Sequence, residues 1–251
     1  ALYAAPGDEA YALMARDPAH AFYGSLPSRD RSRVVGVRQG AGFLRVALTL
    51  GRAAARHHVD CLHVQYAAPL GWRRPLVVTV HDLGFIQVPE SFPPPLRVAL
   101  RVLVPWSIAR ATAVITDSEF CRRDIQARYG VPPGKLATVP LGAAAHFHPR
   151  PSAETAGVLA RYGLVPGFLF SLGRLNRRKN LERLLLAYGR LRAAGVTDVP
   201  LVIAAEFAPM TSNFCPGAFV PMPTPPAARM RNWLGPVDVK LLPLVSDQMN
   251  V

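Results

Sequence analysis

The segment FLFSLGRLNRRKNLERLLLAYGRLRAAG spans Phe168 to Gly195 and divides into a strand, a basic loop and a helix. Phe168 to Leu172 form a short, mostly apolar run that suits a strand buried on both faces. Gly173 is then expected to let the backbone turn and approach a ligand closely. Arg174, Arg177, Arg178 and Lys179 crowd the turn, and Asn180 is placed to cap the following helix. Leu181, Leu184, Leu185, Tyr188 and Leu191 recur at helical spacing, with Gly195 as the stop. A helix start beside several cations is suited to an anion, and diphosphate is the natural one. A solvated basic turn has the same look. The concentration of charge at the carboxyl end of a strand favours the ligand. The loop has neither GxxxxGK[ST] nor GxGxxG.

Outward from this segment, the composition sets limits. The chain has 251 residues, half of them apolar, enough for one large domain or two small ones. The net charge is +13, yet Lys occurs only at Lys135, Lys179 and Lys240, and Arg is scattered along the chain. A nucleic-acid binder clusters its cations and interleaves aromatics, so no nucleic-acid partner is expected. A basic surface still suits an anionic lipid or acceptor. Cys61, Cys121 and Cys215 are far apart and make no metal spacing, which points to a reducing cytosol and no metal. His146 and His148 alternate in a loop with no third ligand close in sequence. The sequence has no run of about 20 uncharged apolar residues and no signal pattern. The expectation is a cytoplasmic protein, with peripheral contact at the inner membrane face as an option. Leu96 to Arg110, with Arg97, Arg101 and Arg110 among apolar residues, is the helix that could make this contact, although core helices look alike.

The chain order alternates strand and helix. Glu9 to Arg16 reads as the end of a helix closed by Asp17-Pro18, and Ala21 to Leu26 and Val34 to Val37 as strands. Gly42 to His57 is helical, Cys61 to Tyr66 and Leu76 to Val80 are strands, and Pro93 to Ala111 is a helix interrupted at Pro105. Ala113 to Thr116, Ser118 to Tyr129 and Leu136 to Val139 continue as strand, helix and strand. This alternation predicts an α/β protein with parallel, doubly wound sheets. A boundary is placed near 143–151, giving domains 1–145 and 146–251. Ala153 to Tyr162 then reads as a helix, and Pro200 to Ala204 and Val239 to Leu242 as strands. Between them, prolines at 209, 216, 221, 223, 225 and 226 leave 207–238 irregular.

His81-Asp82 closes the Leu76 to Val80 strand and projects from its carboxyl edge. It reads as a general base with its orienting acid, as a metal fragment, or as a structural histidine bonded to backbone. Ser118 follows Ile115-Thr116-Asp117 as a helix cap, with ligand contact as its lesser role.

Together these motifs resemble glycosyltransferase family 4. Gly173, Arg174, Lys179 and Asn180 match its donor-phosphate motif position by position, and the Ser118-Glu119-Phe120 and Val139 to Gly142 segments match in order. The resemblance covers roughly 44–204. It implies a GT-B fold of two Rossmann-like domains, the second incomplete, and a retaining transferase. The substrate would be a nucleotide diphosphate-sugar, with mannose as a candidate sugar, a glycan or lipid-linked acceptor and no cofactor or metal. It further implies that Arg174 and Lys179 grip the diphosphate, that His81 contacts the transferred sugar, and that Gly142 ends the first domain near the ligand. An acid two residues after that glycine is common in the family; here the position is Ala144. The family's first strand and acceptor loop are expected before Glu9 and its paired-Glu motif beyond Val251, so the chain reads as truncated at both ends. A GT-B epimerase and a non-catalytic nucleotide or polyanion binder are the alternative readings.

Overall fold

The computed structural model describes residues 9–15, 17–19, 32–37, 46–143, 147–174, 177–206 and 239–244. These fall into two compact units that meet in sequence between Leu141 and Gly142. The predicted strand at 21–26, the irregular segment 207–238, Ala144, His146 and Cys215 lie outside the described residues.

In the first unit, β1 (Tyr11–Ala15) pairs in parallel with β2 (Ser32–Gly36). The expected helix at 9–16 is therefore a strand. Ala, Leu and Met favour a helix locally, but the pairing with Ser32–Gly36 satisfies the same backbone groups and overrides a weak propensity. A π-helical turn at Val46–Leu50 leads into α1 (Gly51–Arg56). Then come β3 (Leu62–Gln65), β4 (Leu76–Thr79), α2 (Pro94–Arg110), β5 (Ala113–Thr116), α3 (Glu119–Tyr129) and β6 (Leu136–Thr138). The four strands β3 to β6 lie side by side in chain order, all parallel. Parallel neighbours need crossovers, which explains why a helix lies between β4 and β5 and another between β5 and β6.

Central strands of such a sheet are covered on both faces, and Val78, Val80, Val114 and Thr116 are fully buried. Leu100, Val104 and Ile108 place one side of α2 in this core. The predicted interruption of α2 at Pro105 does not occur, and the helix runs unbroken from Pro94 to Arg110. Packing of the Leu100, Val104 and Ile108 face holds it against the cost of the missing N–H. Ser107, fully buried, donates its hydroxyl to the Leu103 carbonyl (2.6 Å) and accepts from Ala68 N–H (2.8 Å). That hydroxyl ties the loop after β3 to the helix.

The second unit begins with α4 (Ser152–Tyr162) and continues through β7 (Leu169–Arg174), α5 (Leu181–Ala193), β8 (Leu201–Glu206) and β9 (Val239–Leu244). Its sheet has the order β7-β8-β9, again all parallel. Leu201 to Ala204 are buried in the middle strand, and Leu185 and Tyr188 of α5 are buried with them. Gly195 takes the left-handed conformation just past α5, as the stop signal requires. β7 is not buried on both faces as its composition suggested. Leu169, Phe170 and Leu172 are 46%, 57% and 63% exposed, because β7 pairs on one side only among the described residues. Leu191, assigned to the apolar face of α5, is also exposed.

Candidate active site

The carboxyl edge of the four-stranded sheet gathers the polar groups of the first unit. The β4–β5 ladder pairs Thr79 with Ile115, and Val80 N–H donates to Ile115 O (2.8 Å) beyond it. Carried two residues on, this register sets His81 against Asp117. The imidazole Nδ1 lies 2.8 Å from Asp117 Oδ2, and the two side chains are 31% and 21% exposed. Asp117 is a candidate site residue that the sequence reading did not single out. Its signal was the matching position past a neighbouring strand, which is visible only once the register is known.

The sequence pair His81-Asp82 is thereby corrected. The carboxylate on Nδ1 comes from Asp117, 36 positions away, while Asp82 Oδ1 accepts from Gly84 N–H (2.8 Å) in a local turn. Consecutive residues of extended backbone diverge, whereas equivalent positions on adjacent strands face the same way. The Tyr66 ring stands against the imidazole, centroid to centroid 5.7 Å, tilted 59°. Tyr66 has a left-handed backbone (φ 59°), and its N–H donates to Thr79 O (2.9 Å). On the same strands His63 Nε2 lies 2.7 Å from Thr79 Oγ1. Burial, followed by the nearby His81, lowers the His63 pKa below its usual 6.5.

Ser118 caps α3 through Cys121 N–H, which donates to its Oγ (3.2 Å). The next residue, Glu119, accepts from Thr138 Oγ1 (2.6 Å) and from Arg122 Nε (2.7 Å). The Thr138 hydroxyl first, and Arg122 second, hold its carboxyl below the usual range. Oε1 thus links α3 to β6 at the sheet edge, while Oε2 is held by Arg122 within the same helix. Gly142, the first residue of the second unit, is exposed, and a Cβ there would meet nothing within 4 Å.

In the second unit, the predicted diphosphate residues are arranged differently from their sequence reading. Gly173 is not a turn residue: it lies inside β7, in register with Ala205, and Arg174 follows opposite Glu206. What the glycine provides is a backbone with φ 158°, which L side chains rarely adopt. A Cβ there would come within 3.6–3.7 Å of the Cε, Cδ and Cγ atoms of Lys179, so the lysine stem lies along the strand's bare backbone. A 3₁₀ turn, Arg177–Lys179, delivers that lysine directly to the start of α5. Asn180 occupies the cap position but makes no side-chain cap; its backbone is left-handed (φ 51°, ψ 36°), and its carbonyl accepts the Leu184 N–H (3.2 Å). A left-handed cap residue cannot present its side chain to the first amides as an extended one does. The side chain of Arg174 lies outside the described atoms. No group of three or more His, Cys, Asp or Glu able to hold a metal occurs among the described residues.

Two units of parallel α/β structure, each with its polar groups at a carboxyl strand edge, define the GT-B class of glycosyltransferase folds. Solved structures agree. A glycosyltransferase from Rickettsia africae matches 94% of this chain and 60% of its own, at 11% identity and TM-score 0.55. Anabaena HepE, in complex with UDP and glucose, matches 94% of this chain and 69% of its own, at 17% identity and TM-score 0.52. The family model Glycosyltransferase Family 4 matches residues 4–147, and the chain belongs to that family. Among curated proteins, the Escherichia coli O-antigen chain mannosyltransferase B is 29% identical over 129 residues. That alignment takes in 51% of this chain and 34% of the relative's length, so the chain spans about a third of it.

Proposed function

We propose that the chain carries the acceptor-side domain and the donor-diphosphate segment of a retaining hexosyltransferase. It would transfer mannose from a nucleotide diphosphate to a glycan or lipid-linked acceptor at the cytoplasmic face of a membrane. The observation that carries this reading is the position of Lys179, held along the bare backbone of Gly173 and delivered to the start of α5. An ammonium group beside a helix start suits a diphosphate and stabilises it as negative charge develops on departure. A compact cation does this without a metal. The name of the Escherichia coli relative supports mannose as the sugar. His81, at the carboxyl edge of the first sheet, is assigned to a sugar hydroxyl, and Arg174 joins Lys179 at the diphosphate.

Titration calorimetry of the chain with GDP, UDP and their sugars tests the reading. Saturable binding that prefers one nucleotide supports a formed donor site, and Lys179→Ala is expected to weaken it about 10- to 100-fold, the equivalent of one charge-assisted hydrogen bond. Binding indifferent to the base and unchanged in Lys179→Ala would leave only a polyanion surface.

A further inference from the structure

We infer that Asp117 is a positioning residue for His81, fixing the imidazole as the Nδ1–H tautomer so that Nε2 is left as an acceptor. A carboxylate has no hydrogen to give, so at 2.8 Å the imidazole nitrogen facing it must be the donor. A neutral ring with its hydrogen on Nδ1 has a lone pair on Nε2, and that atom accepts from a hydroxyl. The assignment of this hydroxyl to a sugar rests on the function proposed above; the tautomer does not.

Neighbouring groups have other engagements. Glu119, the other acid at this strand end, is bonded to Thr138 and Arg122, and Asp82 accepts from Gly84 N–H. The helix cap in this segment is provided by Ser118, so capping does not account for Asp117. Tyr66 packs tilted against the ring and restricts its rotation. With the imidazole 31% exposed, the ring is fixed on one edge and still reachable by a ligand. An orienting acid on one nitrogen and a free acceptor on the other is how proteins set which histidine nitrogen does the work.

Long-range nitrogen–proton NMR of the chain decides the matter. The His81 signals are identified by their loss in His81→Gln, in mildly alkaline solution where imidazoles are neutral. The expected result is hydrogen on Nδ1 in the native chain and a shift toward Nε2–H in Asp117→Ala, with the remaining spectrum showing an intact fold. Asp117→Asn, whose amide can turn its N–H to Nδ1, is also expected to shift the hydrogen toward Nε2 and serves if the alanine variant does not fold; an unchanged tautomer there would equally overturn the inference. Hydrogen on Nε2 in the native chain, or an unchanged tautomer in Asp117→Ala, overturns the inference. A parallel titration with nucleotide and nucleotide-sugar separates it from the functional reading. If sugar adds to the affinity, Asp117→Ala should reduce that added part about tenfold and spare the nucleotide's part. If sugar adds nothing in the native chain, the functional reading fails while the tautomer still decides the role of Asp117.

Discussion

At the scale of single residues, the carboxyl edge of the first sheet links charge to stability. The His63 pKa lies below 6.5 in the folded chain, so between the folded and unfolded values the unfolded chain binds the extra proton. The contribution is fully present above pH 6.5 and is lost as pH falls through that value toward the folded one. His63→Gln should therefore flatten the decline of stability on mild acidification, measured by denaturant unfolding at a series of pH values. An unchanged slope would place the acid sensitivity elsewhere. In the second unit, Gly173→Val should strain β7 and disturb the packing of the Lys179 stem, because the backbone there has φ 158°, a conformation that L side chains rarely adopt. Nucleotide affinity should fall toward that of Lys179→Ala, together with a lowered thermal midpoint from the strained backbone.

At the scale of elements, α2 contains a built-in weakness and a built-in tie. Pro105 lies within an otherwise continuous helix, and Pro costs about 3 kcal/mol relative to Ala in a helix interior. Pro105→Ala restores the N–H to the Arg101 carbonyl, and a gain of about 1–3 kcal/mol is expected, read as a raised thermal midpoint. Ser107→Ala should act in the opposite direction. It strands the Ala68 N–H and leaves a fully buried site without its hydroxyl, at a cost of about 1–3 kcal/mol. Equal midpoints for both variants would mean that the helix end, not its packed face, limits stability. Capping was legible without coordinates at Ser118, which sits directly before α3 and accepts from Cys121 N–H. Asn180 was not, because residue type alone does not show whether the backbone at the cap is extended or left-handed.

At the scale of the whole molecule, a net charge of +13 attracts polyanions regardless of any site. Binding through scattered Arg should fall steeply with added salt as counterions are no longer released to advantage. Binding through Lys179 at the start of α5 should keep its nucleotide preference over the same range. Titrating GDP, UDP and a mixed-sequence oligonucleotide at low and moderate salt separates the two. Loss of all preference with salt would count against a donor site. Arg97 and Arg101 on α2 lie beside the exposed Val98 and Val102, and no helix among the described residues is long and apolar enough to cross a membrane.

The sequence by itself determined the alternation of strands and helices, the parallel sheets and the grouping of Gly173 with Lys179. Each follows from local hydrophobic period, turn chemistry or a motif of a few residues. Only the tertiary structure decided that Tyr11 to Ala15 is a strand, that β7 has a strand partner on one side only among the described residues, with its apolar side chains exposed, and that His81 meets Asp117. These depend on which strands become neighbours and in what register. Pairing partners separated by tens of residues are chosen by packing of the whole sheet, and no local pattern at either partner records that choice.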